Sequence, residues 1–232
     1  MSSNWGYTLY GILAQFTDHT YIEKLHQQNS TPIHQFLEVL PNRTEAFWHI
    51  CLLSDEAIYY VGEVIEKHDF FPAEHHQTNL QILEKSMSNP ITETEFCQKY
   101  LVDDIADRRQ TLQLLTPIGF KSQESYQIFP TVDLIIKSLW NHWQQFSTEL
   151  SLEGEEVRNQ IIDNTQILDY RLRSTRYSLK GNKIPSFSGN LVLKIHGPEP
   201  LVRLANLLLH FGEYSGLGMK TTLGMGGYRI KK

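Results

Sequence analysis

Six glycines fall within the sixteen residues 212–227 near the end of the chain, together with Lys220. Glycine lets a phosphodiester approach the backbone closely, and glycine-rich turns present N–H groups that bind anions. The segment follows a predicted helix and leads into a predicted strand, so it matches neither a dinucleotide-binding fingerprint nor a Walker A loop. It predicts either a phosphate-contacting loop or a purely structural turn. The candidate contacts are Gly216, Gly218, Lys220, Gly224 and Gly226.

Arginines recur on a predicted strand upstream of this segment, at Arg171, Arg173 and Arg176. Because side chains alternate along a strand, Arg171 and Arg173 are expected to point to the same side. Paired guanidinium groups on one sheet face suit bidentate binding of phosphates. Solvated surface arginines are the alternative interpretation. Further candidate cations for the same surface are Lys180, Lys183 and Arg229.

The charge distribution supports a polyanionic partner. Residues 168–232 carry 11 Lys and Arg against 3 Asp and Glu, a net charge of +8, whereas residues 1–167 carry 10 against 23, a net charge of −13. A basic region in an otherwise acidic chain is typical of a protein that holds nucleic acid on one part of its surface.

The histidines and cysteines do not indicate a metal site. The two cysteines are far apart in the sequence, and adjacent histidines are not a structural zinc spacing. A polar surface loop explains the group around Phe70, and we expect neither a metal nor a cofactor. That group comprises His68, Asp69, Glu74, His75 and His76. Five further histidines are interpreted as structural, namely His19, His49, His142, His196 and His210.

The composition, with 41% hydrophobic and 20% charged residues, is that of a folded globular chain. The longest apolar stretch, 204–209, is far shorter than the roughly 18 residues of a membrane helix. The N-terminal residues lack the basic and apolar regions of a signal peptide, and two cysteines cannot form a disulfide framework. The sequence therefore predicts a protein of the reducing cytoplasm with no membrane segment.

Helical and strand patterns interleave along the chain. The predicted helices cover 5–16, 18–26, 55–65, 132–146, 155–163 and 199–211, and the predicted strands cover 47–53, 78–83, 111–115, 126–129, 170–179, 191–195 and a last strand ending at 230. Strand 126–129 is expected to pair with 111–115. Several connections are too short for parallel crossovers, so the pattern predicts an α+β fold of two units, residues 1–106 and 107–232.

Three segments together resemble the CRISPR-associated repeat-processing endoribonucleases of the repeat-associated RNA-binding (RAMP) superfamily. Residues 211–227 are similar to the glycine-rich signature of that family, and 116–130 resemble the segment that opens its second domain. Leu25-His26 resembles its leucine–histidine pair. The similarity is greatest to members that accompany type III-A systems. Relatives that bind RNA without cutting it share the glycine-rich element, so Leu25-His26 is what points to a nuclease.

The resemblance implies two tandem ferredoxin-like domains, with the repeat transcript bound across the basic C-terminal domain and the cleft between the domains. It also implies metal-independent cleavage, in which a repeat 2′-hydroxyl attacks its own phosphate and leaves a 2′,3′-cyclic phosphate and a 5′-hydroxyl. His26 is the candidate general acid or base, because imidazole exchanges protons near neutral pH.

Two features depart from the family pattern. Relatives often have a tyrosine in the first helix and a lysine shortly after the histidine, where this chain has Ala14 and Thr31-Pro32. Another residue must then stabilise the pentavalent phosphate. Relatives also begin with a strand, so either the first domain lacks its opening strand or the true start lies upstream. The weaker catalytic candidates and substitute donors are Tyr10, Lys24, His34 and Lys220.

The sequence leaves two RNA-related functions open. One is an endoribonuclease that cuts precursor CRISPR RNA, and the other is a non-cutting module that holds guide RNA. Only the first requires His26 and activity of the isolated protein. A phosphate-ligand enzyme unrelated to RNA explains the charge asymmetry poorly. The expected partners are CRISPR repeat RNA and, transiently, a type III effector complex, with the chain acting as a monomer or homodimer.

Overall fold

The structure, a computed structural model, describes residues 2–28, 31–42, 44–73, 77–122 and 124–231. Within these residues, none of the helices has the length and apolar character needed to span a membrane. Glu74, His75 and His76 of the histidine group around Phe70 lie outside the described residues.

The N-terminal half consists of helices and two small antiparallel hairpins. A short 3-10 helix, Ser3–Trp5, precedes α1, and no strand precedes α1 within residues 2–28. The Asp18 carboxylate accepts from the Tyr21 N–H and so caps α2. The elements are α1 (Gly6–Phe16), α2 (His19–Gln27), β1 (Ile33–Val39), β2 (Ala46–Leu52), α3 (Asp55–Ala57), a π segment (Ile58–Gly62), α4 (Glu63–Lys67), β3 (Phe70–Ala73) and β4 (Thr78–Gln81).

Strand β1 was not predicted. It pairs with β2 in full register, from Ile33 opposite Leu52 to Val39 opposite Ala46. Its buried Gln35 donates to the carbonyls of Gly6 and Thr222, at 2.7 and 2.8 Å, and accepts from the Trp48 indole. Because these bonds compensate the burial of the amide, a polar side chain occupies a position where an apolar one is normally expected.

The C-terminal half is built around a four-stranded antiparallel sheet with strand order β10-β5-β9-β8. Its main elements follow the order strand, helix, strand, strand, helix, strand, which is the ferredoxin-like arrangement. The elements are α5 (Glu93–Gln98), a π segment (Lys99–Asp103), β5 (Arg109–Leu114), β6 (Phe120–Ser122), β7 (Ser125–Gln127), α6 (Val132–Phe146), α7 (Glu155–Asp163), β8 (Thr165–Leu179), β9 (Asn182–Ile195), α8 (Glu199–Ser215), a 3-10 turn (Thr221–Leu223) and β10 (Tyr228–Lys231).

The helices cover one face of this sheet. Leu112 of β5 and Leu193 of β9 are fully buried beneath α6 and α8, and Trp140 and Trp143 of α6 fill the same core. Apolar and polar residues alternate along β5, so Arg109, Thr111 and Gln113 lie on the other face of the sheet. We call this side, opposite α6 and α8, the open face.

The predicted pairing of 126–129 with 111–115 is wrong. Strand β7 pairs with β6 in a separate small hairpin, whereas β5 lies between β9 and β10. The connection from β6 to β7 is short enough for a local hairpin, and local pairing is the commoner outcome for neighbouring strands.

An exposed segment without regular secondary structure, residues 83–92, separates β4 from α5. Although Phe96 and Tyr100 precede the boundary predicted at 106, both pack into the core of the C-terminal half. The boundary between 1–106 and 107–232 stays a prediction.

Candidate nucleic-acid interface

The open face carries a concentration of cations. The register places Arg171 of β8 opposite Asn190 of β9, and Arg173 opposite Ser188, so both guanidinium groups lie on this face as their spacing predicted. Arg176 points to the other side of the same strand. The cations on the open face are Arg109, Arg171, Arg173, Lys194, Arg229 and Lys231, and Asp169 is the acidic residue among their strand neighbours.

Several of these cations have no anionic partner. In residues 2–28, 31–42, 44–73, 77–122 and 124–231, the side chains of Arg109, Arg171 and Lys194 form no ion pair. Arg109 and Lys194 also lie directly opposite each other on β5 and β9. Like charges placed opposite one another destabilise a sheet, so this arrangement favours an external anion.

Sequence reasoning missed Arg109, Lys194 and Lys231, because only cross-strand register shows that they share a sheet face with Arg171. The long β8–β9 hairpin carries the predicted contacts Lys180 and Lys183, and β10 carries Arg229. Lys180 lies over the Tyr7 ring at 4.8 Å, Lys183 is exposed, and Arg229 pairs with Glu38 at 2.8 Å.

The glycine-rich loop, residues 216–227, is a packed element. Gly216, Gly224 and Gly226 are buried and have positive φ, which glycine adopts without strain. The N–H groups of Leu217 and Gly226 donate to carbonyls within the protein. The loop therefore shapes the surface from inside, while Gly218 is half-buried and Lys220 is exposed.

This loop meets α1 in direct backbone contact. A Cβ at Gly224 would lie 2.6 Å from the Gly6 Cα and 2.7 Å from the Tyr177 hydroxyl, which itself donates to the Leu223 carbonyl at 2.5 Å. Gln35 ties the same two elements together. The interface between α1 and the loop is thus closely packed.

We expect Gly224→Ala to destabilise the protein by about 3 kcal/mol, because left-handed backbone costs a non-glycine residue roughly 1–2 kcal/mol and overpacking adds a similar amount. Gly181→Ala is the matched control, since Gly181 also has positive φ but open space around its Cβ position. Urea unfolding of both variants measures the difference. Equal losses of unfolding free energy in the two variants would contradict the packing argument.

His26 lies in the last turn of α2, and its side chain is exposed. Leu25, beside it, is buried against Ile33 and Val61 and so anchors the helix. Among the described residues, the His26 ring makes no hydrogen bond or ion pair. An exposed, unpaired imidazole on an anchored helix is free to contact a bound nucleotide.

The other catalytic candidates differ in accessibility. Lys24 pairs with both oxygens of Glu56, at 2.7 and 2.6 Å, so a carboxylate already neutralises it. Tyr10 is half-buried, and burial raises its pKa, so its hydroxyl stays protonated and able to donate.

His34 is buried where β1 meets the end of α8. Its Nδ1 lies 3.0 Å from the Tyr214 carbonyl, and His142 Nδ1 lies 3.1 Å from the Gly216 carbonyl. Both rings thus bind carbonyls at the C-terminal end of the helix. Burial lowers the pKa of His34 to about 4, and it lowers the pKa of His142 as well. His34 is therefore buried and bonded to backbone, as is typical of a structural residue.

We expect His34 to make stability depend on pH. Because the folded-state pKa is depressed, the stabilisation is complete above pH 6.5 and is lost as the pH falls from 6.5 to about 4. The predicted loss is about 3 kcal/mol across that window. Unfolding free energies measured from pH 7 to 4 should show a shallower slope in His34→Leu; an unchanged slope would contradict the assignment.

Among the described residues, no group of three or more histidine, cysteine, aspartate or glutamate side chains is arranged to hold a metal ion.

Comparison with known proteins identifies the family. The family described as "CRISPR-associated endoribonuclease Cas6" matches residues 112–228. A Streptococcus thermophilus protein of that description is 31% identical over 234 residues, covering 96% of this chain and 90% of the relative. A Mycobacterium tuberculosis protein of that description is 24% identical over 230 residues, covering 96% and 70%.

Solved structures share the fold. A product complex of Thermus thermophilus Cas6 superposes with a TM-score of 0.81 at 17% identity, covering 98% of this chain and 94% of that one. The product of a Cas6-related gene from Pyrococcus furiosus superposes with a TM-score of 0.63 at 15% identity, covering 100% and 92%.

The ferredoxin-like sheet and these similarities define a CRISPR-associated endoribonuclease. Within that class, the chain belongs to the Cas6 family of CRISPR-associated endoribonucleases. The predicted family, the α+β fold with tandem ferredoxin-like units and the processing of precursor CRISPR RNA are confirmed.

Proposed function

We propose that this Cas6 protein cuts precursor CRISPR RNA within each repeat without a metal ion. The observation that carries the proposal is the open face, where Arg109, Arg171 and Lys194 lack anionic partners in the described part of the chain. RNA phosphates supply the charge that these side chains need. The exposed His26 supplies a proton-transferring group in the other half of the protein.

In the proposed reaction, the 2′-oxygen at the cleavage site forms a bond to the adjacent phosphorus while the bond from phosphorus to the 5′-oxygen breaks. The 2′-hydroxyl loses its proton to a base, and the departing 5′-oxygen takes a proton from an acid. The products are a 2′,3′-cyclic phosphate and a 5′-hydroxyl. His26 makes one of these two proton transfers.

The pentavalent phosphate of the transition state also needs hydrogen-bond donors or a cation to stabilise its charge. Tyr10, with its protonated hydroxyl, and Lys220, exposed on the glycine-rich loop, are the candidates that we retain. Lys24 is a weaker candidate because Glu56 occupies its ammonium group. His34 is assigned a structural role because only 1% of its surface is exposed.

The proposal includes the surroundings of the protein. CRISPR repeat RNA is the substrate, with Arg171, Arg173, Arg176, Lys180, Lys183 and Arg229 among its contacts. We further propose a cytoplasmic protein, monomeric or homodimeric, that accompanies a type III-A system and contacts its effector complex transiently.

Incubation of the purified chain with its own genomic repeat RNA tests the function. The expected result is one cut per repeat by the isolated protein, and no cut in a scrambled RNA of the same length and composition. Tight, repeat-specific binding without cutting would contradict the nuclease and leave the module that holds guide RNA.

A further inference from the structure

A polar groove on the open face lies beside the arginines. It has a volume of about 370 Å³ and lies between the end of β5 and the β8–β9 hairpin. Its walls include Gln113, Arg173, Thr175, Ser188 and Asn190. Such a volume is at the small end of ligand pockets and suits one nucleoside rather than a helix.

The register explains why these side chains converge. Gln113 of β5 is directly opposite Asn190 of β9, which is in turn opposite Arg171 of β8. Side chains directly opposite each other have Cβ atoms roughly 5 Å apart. Two amides therefore lie side by side next to a guanidinium group.

The polar groups of the groove are not used by the protein itself. Within the described residues, the Gln113 and Asn190 amides and the Thr175 hydroxyl make no hydrogen bond. Arg173 donates from Nε to the Ser188 hydroxyl at 3.1 Å, which fixes the guanidinium group and leaves its terminal nitrogens available. Half-buried amides without partners are suited to a ligand that supplies both donors and acceptors.

Gly189 shapes the floor of the groove. Its φ is +134°, and a Cβ there would collide with the Arg171 carbonyl oxygen. A side chain at this position would separate β8 from β9 and move Arg171 and Arg173. The groove and the arginine pair are thus built by the same local backbone.

We propose that this groove recognises the base of one unpaired repeat nucleotide, through the Gln113 and Asn190 amides, while Arg171 and Arg173 bind its phosphates. The inference rests on the proposed function and specifies how repeat RNA is selected. Amide side chains read the edges of bases by paired hydrogen bonds. Bases inside an RNA duplex are inaccessible to such contacts, so the nucleotide must be unpaired.

A mutant cycle tests the proposal. The affinity of wild type and of Gln113→Ala/Asn190→Ala is measured on repeat RNAs that carry an abasic nucleotide at each position in turn. A 2′-deoxy nucleotide at the cleavage site keeps the RNA intact. We expect the variant to bind the unmodified repeat about 10-fold more weakly. At one position, the abasic nucleotide should weaken binding by the wild type by the same factor of about 10. The same abasic RNA should bind the variant no more weakly than the unmodified repeat does.

Two further variants make the test sharper. Gln166→Ala is the matched control, because Gln166 lies on the same face of β8 opposite Lys194 and outside the groove, and its affinity should not change. Asn190→Asp keeps the side-chain shape, replaces a donor by an acceptor and should change which base is preferred at the coupled position.

Additive losses at every abasic position, or wild-type affinity in the double variant, would overturn the groove assignment. In either case, cleavage of the normal repeat would leave the proposed function standing. Binding of the repeat without cleavage would instead contradict the proposed function, while coupling at one position would still support the groove.

Discussion

Replacing His26 with alanine is expected to slow cleavage of the repeat RNA by about 100- to 10,000-fold, which is the usual contribution of a general acid or base. RNA affinity should stay within about twofold of wild type, since one neutral side chain adds little to a contact dominated by phosphates. Because His26 is exposed and makes no bond within the described residues, its removal should not disturb the fold. Single-turnover cleavage and equilibrium binding measure the two effects separately.

His19→Ala is the matched control for this prediction. His19 lies on the same helix, is also exposed and interacts with Glu23 on that helix. Its substitution should leave cleavage unchanged. Cleavage that survives His26→Ala would keep the enzyme but transfer the proton chemistry to another residue, with Tyr10 the next candidate.

Reversing the charge of Arg171 and Arg173 together is expected to weaken RNA binding by about 100-fold or more, because each charge-assisted hydrogen bond contributes roughly 1.5–3 kcal/mol. The slope of log affinity against log salt should also fall by about 2, since two phosphate contacts no longer release counterions. RNA-binding titrations of Arg171→Glu/Arg173→Glu at salt concentrations from about 50 to 300 mM measure both effects.

A control with the same change in net charge separates local from general electrostatics. Lys67→Glu/Lys137→Glu alters two exposed helical lysines that already pair with Glu63 and Asp133. Its affinity for RNA should change much less. If both double variants lose equal affinity, net charge rather than the open face controls binding.

Much of the fold follows from local sequence signals. The 3.6-residue apolar period predicts α6 over its full length, and Asp18 and Ser54, both favourable capping residues, cap helices close to the predicted starts at 18 and 55. Strand β1 escapes this reasoning because His34 and Gln35 interrupt its apolar pattern. Their burial is compensated by carbonyls far away in the sequence, such as those of Tyr214 and Thr222, which no local pattern reveals.

The candidate site was predictable only in part. Strand alternation places Arg171 and Arg173 on one face, as found. The position of Arg109 and Lys194 on the same face depends on the register between β5 and β9, which pairs these two residues although they are 85 positions apart in the sequence. The glycine content correctly indicates a loop at 216–227. Gly216, Gly224 and Gly226 are nevertheless buried and pack within the protein. The sequence does not show this, because tertiary contacts decide which backbone groups remain free.

The central claim is cleavage by the RNA's own 2′-hydroxyl without a metal ion. The most direct measurement is a single-turnover reaction of the purified protein in EDTA, with the normal repeat and with a repeat carrying a single 2′-deoxy nucleotide at the cleavage site. The account predicts a cut in the normal RNA, with 2′,3′-cyclic phosphate and 5′-hydroxyl ends, and none in the 2′-deoxy RNA. Cleavage of the 2′-deoxy RNA, or a reaction that EDTA abolishes, would contradict it.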